Sequence, residues 1–353
     1  MTGPSMLLFE ALREPERLLA LTAKDWNGLI RVGRAERLLA TLGTRAEGLA
    51  LPVRAAAILE EARLDAERGQ DRIRFEIDRM AETLLPLGFP VVLLKGGAFL
   101  MAGLSPLPGR EIGDLDILVP RDRIGEAERT LREAGWISVK ASGGYDDSYY
   151  REWMHELPPL AHRSRGNVID LHHNVLPPTG RLAPDAAGMI DRAVRLPGGL
   201  FILSPEDMLI HAALHVAYDG DFHGGARNLW DIDRLFRAFS SADAAFAESL
   251  RDTARAQGLM LPVRRALFLA QALYGTPVPA ALSKRTDPVD ILAKRKLQGR
   301  DRYGRQRTPV ADFILYARGH WLRMPPFMLV RHLWTKWRAR RREARDATRR
   351  TGR

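Results

Sequence analysis

GREIGDLDILV, residues 109 to 119, decides how this chain is read. A glycine-flanked polar entry gives way to an alternating acidic and apolar run closed by Pro120, the pattern of a short strand with one apolar face. Side chains alternate across a strand, so Asp114 and Asp116 share one face while Leu115 and Ile117 occupy the other. Two carboxylates so close repel, and a hard divalent cation such as Mg²⁺ or Mn²⁺ is the usual means of keeping both ionised. A metal cradle is therefore expected at the edge of an apolar sheet.

Working outward, the preceding run FPVVLLK, residues 89 to 95, is short, apolar and β-branched, and it stops at Gly96-Gly97. That pattern predicts a buried strand and a tight turn whose backbone N–H groups can approach a phosphate. Lys95 and the fork-shaped guanidinium of Arg110 are the expected phosphate donors. Neither a Walker A loop nor GxGxxG occurs, so a nucleotide must be held in another way. After Pro120, residues 121 to 135 have helical spacing and a glycine stop, and WISVKAS from Trp136 reads as another strand. NVIDLHHNV, residues 167 to 175, is the next strand, and FILSP from Phe201 a further one. Asp170 lies within that apolar run, a costly place for an unpaired carboxylate, with His172 on the same face. It is the candidate third metal ligand beside Asp114 and Asp116.

Helices surround this centre. LFEALREPERLLALT, RAERLLATLG ending at Gly43, and Pro52 to Leu87 have helical spacing. SPEDMLIHAALHVAYD opens with a Ser cap followed by Pro205, and helical patterns continue to about residue 278. Thr286 to Thr308 reads as polar loop or frayed helix. The expected fold is α+β: an N-terminal helical region over 1–85, a small mixed-sheet core over 86–203, a helical C-terminal domain over 204–310, and an amphipathic helix with basic tail over 311–353.

Composition narrows the chemistry. The 353 residues contain no cysteine, which excludes disulfides and thiolate ligands and leaves oxygen or imidazole for any metal. The net charge is +11, but residues 331–353 hold ten Lys/Arg against only Glu343 and Asp346, so most of that charge is terminal. Seven of the 54 basic residues are Lys, an arginine bias that fits GC-rich coding better than phosphate recognition. The N-terminus lacks signal-peptide character and no run is long enough to span a membrane, which predicts a cytoplasmic protein.

VVLLKGGAF, GREIGDLDILV and VIDLHHNV together resemble the nucleotidyltransferase superfamily with a DNA polymerase beta-like core, and within it a group of uncharacterised bacterial nucleotidyltransferase family proteins. The helical lead-in with Trp26, SPEDMLIHAALH and RNLWDIDRLF resemble that group too, so the likeness reaches about residue 240. It implies that Gly96 and Gly97 occupy the place of the superfamily's Gly-Ser turn, that Asp114 and Asp116 bind metals, and that Asp170 is the third carboxylate. In this chain Gly97 stands where the superfamily has Ser, and the spacer to Asp114 is longer than usual.

Other features have two readings. His211 and His215 stand at i, i+4 with Asp219 one turn on, which is metal spacing but is also common in packed helices. HELPP around His155 breaks the metalloprotease pattern at Pro158 and Pro159. Asp231 and Asp233 fall on different helix faces; Asp231 is expected near the site and Asp233 in solvent. His172, His215 and Asp231 are thus candidates for the shell around the metal ligands. From Phe313 to Trp337 aromatics and arginines alternate, which suits an anionic membrane surface or a nucleic acid as readily as a docked helix with a solvated tail. The sequence therefore predicts transfer of an NMP from an NTP, ATP being the first candidate, to an unidentified acceptor hydroxyl. A catalytically degenerate binding module and a tail-driven adaptor are the alternatives.

Overall fold

The computed structural model describes residues 3–139, 153–218, 222 and 224–323. Four helices come first: α1 (Pro4–Arg13), α2 (Ala23–Ala35), α3 (Leu39–Arg45) and α4 (Val53–Leu84). Thr22 starts α2 through a reciprocal capping box with Asp25, satisfying amides that the first turn leaves open. RAERLLATLG, expected as one helix, is divided between α2 and α3 because Arg37 takes a left-handed backbone at φ 55°. α4 packs on α3 and crosses the sheet to meet α5, α6 and β2.

The sheet alternates with short helices: β1 (Val92–Leu93), α5 (Lys95–Ala102), β2 (Asp114–Leu118), α6 (Ile124–Glu133), β3 (Trp136–Ser138), β4 (Leu160–His162) and β5 (Val168–His172). There follow α7 (Ala186–Asp191), β6 (Val194–Arg195) and β7 (Phe201–Ile202). The strands form one mixed sheet in the order β3-β4-β5-β2-β1-β7-β6. The fold is α+β, as the sequence indicates. β4 and β6 are absent from the sequence reading, being two or three residues long and without an apolar run of their own. The rest of WISVKAS, from Lys140, lies outside the described residues.

The second half is helical: α8 (Pro205–Tyr218), α9 (Gly225–Ala242), α10 (Phe246–Ala256), α11 (Met260–Tyr274), α12 (Pro288–Leu297) and α13 (Pro309–Arg323). Ser204 caps α8 through the amide of Asp207, as expected. Two expectations are corrected. Within Thr286–Thr308, α12 forms behind a capping box between Asp287 and Asp290, and Arg265 and Lys284 neutralise both carboxylates. Asp233 is fully buried rather than solvated, because α8 and α11 both pack against α9; Arg237 and Thr276 each donate to it at 2.8 Å. One apolar cluster joins the N-terminal helices, the sheet and the C-terminal helices. Among the described residues no helix is long and apolar enough to cross a membrane.

Candidate active site

The backbone sets the carboxylates side by side. β2 and β5 run parallel with Asp114 opposite Val168 and Asp116 opposite Asp170, so the period of two that joins Asp114 to Asp116 also aligns Asp170 with them. Asp114 is exposed at the strand's start, whereas Asp116 is only 3% exposed. β1 flanks β2 on the other side, and the Leu94 amide donates to the Asp116 carbonyl at 3.0 Å, which brings Lys95 beside Asp116.

Electrostatics separate the two central carboxylates. Burial alone would raise the pKa of Asp116, but the Lys95 ammonium, 2.7 Å from Oδ1, and the His172 Nε2, 3.1 Å from the same oxygen, hold it well below the ordinary range. Asp170 goes the other way: burial, then the negative charges of Asp116 and Glu156, push it up to about 7. Its Oδ1 is buried and has no hydrogen-bond partner among the described residues. The pair thus consists of one firmly ionised carboxylate and one able to exchange a proton near neutrality. Burial lowers His172, but its hydrogen bond to Asp116 and the charge of Glu156 outweigh that and leave it raised. His211, buried and facing Lys95, is held well below its usual value and stays neutral.

Lys95 has φ 43°, the left-handed region that costs an L residue of order 1 kcal/mol or more. The Gly96-Gly97 pair forms the first turn of α5 instead of a free loop. A Cβ at Gly96 would collide with the guanidinium of Arg110 and approach Ile112 to 2.9 Å; one at Gly97 would meet Leu115 Cδ1 at 3.0 Å. The direction of that second vector explains the departure from Gly-Ser: a side chain at 97 would enter the apolar core beside Leu115 and Ile77. Arg110 is buried, stacks over Phe99 and donates from Nε to both oxygens of Asp231, at 3.0 and 3.3 Å. It borders a small cavity with Lys95, His211, His215 and Asp231. Burial, then the charge of Arg110, lower Arg227 to about 10, and its Nε has no partner among the described residues.

The structure adds two residues that sequence reasoning set aside. His155 and Glu156 lie beside the end of β5, where Leu157 N donates to Leu171 O at 2.9 Å and His173 N to His155 O at 2.9 Å. Pro158 and Pro159, which exclude the metalloprotease helix, leave this segment extended and able to pair with β5. Glu156 Oε2 comes to 3.5 Å from His172 Nε2 and 3.8 Å from His155 Nε2. These three residues, with Lys95, Asp170 and His211, line a cavity of about 290 Å³ that His215 also borders. Asp219 lies outside the described residues.

The sequence signature of the family described as an uncharacterised nucleotidyltransferase matches residues 22–275. That span holds the three aspartates, Lys95-Gly96-Gly97, Arg110, His172, His215 and Asp231. No curated protein matches the chain.

Proposed function

The chain belongs to the uncharacterised nucleotidyltransferase family, and from that premise we propose that it moves a nucleoside monophosphate from an NTP, ATP first, to an acceptor hydroxyl. The observation that carries this reading is the register of Asp116 with Asp170, which aligns the carboxylates of the neighbouring inner strands β2 and β5, with a buried oxygen of Asp170 lacking a partner among the described residues. These residues fit a hard divalent cation: an oxygen-only set containing one firmly ionised and one orphaned carboxylate is what Mg²⁺ or Mn²⁺ selects. Asp114, Asp116 and Asp170 would hold it, and it would neutralise the triphosphate and favour ionisation of the acceptor.

The chain's own groups account for the rest. Asp170 takes the proton from the acceptor hydroxyl as that oxygen bonds to the α-phosphorus. The bond from the α-phosphorus to the bridging oxygen breaks, and pyrophosphate leaves with the electron pair. Lys95, which balances Asp116, would meet the phosphates, and no side chain caps the amides of the first turn of α5 beside it. Arg110, held by Asp231 beneath Gly96, keeps that turn in place and reaches phosphate only by exchanging its carboxylate partner. His172 steadies Asp116.

Incubation with each α-labelled NTP, Mg²⁺ or Mn²⁺ and cell lysate should label an acceptor, and Asp114→Asn should lose that labelling by a hundredfold or more. If no NTP with a divalent cation labels any acceptor or raises the melting temperature of the wild type above that of the variant, the transferase reading fails.

A second reading concerns placement in the cell. α13 exposes Phe313, Ile314, Tyr316 and Trp321, and the run of basic residues over 331–353 follows in the sequence. Apolar anchors followed by concentrated positive charge suit an anionic membrane surface, so we assign 313–353 that contact.

A further inference from the structure

We propose that His155, Glu156 and His172 form a separate site for a borderline transition ion, Zn²⁺ or Co²⁺ in preference to Mg²⁺, next to the three aspartates. This inference stands apart from nucleotidyl transfer, because it rests on a donor set that needs no nucleotide. The three residues each present a ligand atom, and these atoms lie within 4.8 Å of one another. The separations of Glu156 from both imidazoles are already near those of a filled site. With metal–ligand distances of about 2.0 to 2.2 Å, tetrahedral geometry puts neighbouring ligand atoms about 3.4 Å apart. Glu156 Oε2 stands 3.5 Å from His172 Nε2 and 3.8 Å from His155 Nε2, within a few tenths of an ångström of that spacing, and the two imidazoles offer ligand atoms within 4.8 Å of each other.

Donor chemistry sets the selectivity. Two imidazoles and one carboxylate favour zinc-like ions, whereas Mg²⁺ prefers oxygen and keeps its water. The backbone carrying the ligands is fixed independently of any ion, since Glu156 pairs with His172 in an antiparallel backbone bridge and His155 O accepts from His173 N and Asn174 N. The surroundings are equally suited. His173 is tied back by its Nε2 to Met154 O at 3.1 Å, and the cavity provides room for a fourth, exchangeable ligand. Asp116 Oδ1, 3.1 Å from His172 Nε2, is within ligand reach and would bridge this ion to the neighbouring aspartate site.

The test uses the full chain stripped of metal and titrated with Co²⁺, whose visible bands report tetracoordinate nitrogen and oxygen ligation, followed by Zn²⁺ competition. One Co²⁺ should bind and resist a large excess of Mg²⁺. His155→Ala and Glu156→Gln should each weaken it about tenfold or more, while Asp114→Asn leaves the bands in place. Both substituted side chains are partly exposed, and melting curves of the metal-free variants should match the wild type if each folds. Absence of tetracoordinate bands in the wild type, ready displacement by Mg²⁺, or loss of the bands in Asp114→Asn but not in His155→Ala would overturn the proposal. None of those results bears on Mg²⁺-dependent labelling, so the two readings fail separately.

Discussion

At the scale of single residues, Asp170 carries an energetic consequence that can be measured without substrate. Its pKa rises from 3.8 to about 7 on folding, chiefly by burial and then by the charges of Asp116 and Glu156. A folded-state pKa above the unfolded one means that the native protein binds the proton more tightly. Stability from this group is therefore fully present below about pH 4 and is lost as pH rises through 7. A shift of this size corresponds to roughly 4 kcal/mol at most, and coupling to the neighbouring carboxylates reduces the share that one substitution recovers. Asp170→Asn should accordingly raise the stability of the metal-free protein at pH 8 by about 1 to 3 kcal/mol and have little effect at pH 4.5, read from urea midpoints at the two pH values. Divalent cation should raise the melting temperature of the wild type at pH 8 and not that of the variant. A variant less stable than wild type at pH 8 would show that Asp170 is already paired in the folded state. Much of this residue-level picture is legible in the sequence, since alternation alone joins Asp114 to Asp116 and flags Asp170 within an apolar strand. The parts that are not legible depend on distant contacts. Nothing local to His155-Glu156 says that two prolines leave it extended alongside β5, and nothing local to Arg110 says that Asp231, far along the chain, takes its guanidinium.

At the scale of elements, the site depends on how α4 grips the sheet. Glu76 on α4 is fully buried and accepts from Arg165 Nε at 2.7 Å, Arg165 Nη2 at 2.9 Å and Asn167 Nδ2 at 2.8 Å. Those donors lie in the turn between β4 and β5, so this single carboxylate anchors the strand that bears Asp170 and His172 to the longest helix among the described residues. Glu76→Ala leaves a partly buried guanidinium and an amide without their acceptor, and it should cost about 3 kcal/mol. The expected signature is a lower urea midpoint accompanied by weaker divalent-cation binding, since β5 loses its support. An equal loss of stability with unchanged cation affinity would confine Glu76 to a purely scaffolding role. The same comparison explains which elements could be read in advance. α4, β2, β5 and α8 each announce themselves through periodicity or a cap, whereas β4 and β6 exist only because neighbouring strands supply their hydrogen bonds. α12 was readable in principle from Asp287-Pro288 with Asp290, but its basic last turn resembles a solvated loop until Arg265 and Lys284 are seen to neutralise its cap.

At the scale of the whole molecule, charge is divided unevenly between body and terminus. Ten of the 54 basic residues lie in 331–353, beyond α13 in the sequence with its exposed Phe313 and Trp321, whereas the catalytic candidates occupy the family span 22–275. α13 is fastened to the body, since Arg181 N donates to Leu322 O at 3.1 Å and the Arg181 guanidinium lies 4.5 Å from the Trp321 ring. Near an anionic leaflet each basic residue contributes roughly 1 kcal/mol at low salt, decaying over about a Debye length. Removal of 331–353 should then lower affinity for vesicles rich in anionic lipid by at least roughly a hundredfold, leaving the melting temperature and any nucleotide labelling unchanged. Replacing Phe313 and Trp321 together by serine should weaken binding at all salt concentrations, because burial of apolar surface is not screened, whereas the tail's share should vanish as salt rises. Flotation with anionic and neutral vesicles across a salt series separates the two contributions. Retention on RNA but not on vesicles would redirect the terminus to nucleic acid, and equal binding to neutral vesicles would assign the attraction to the aromatics of α13 alone.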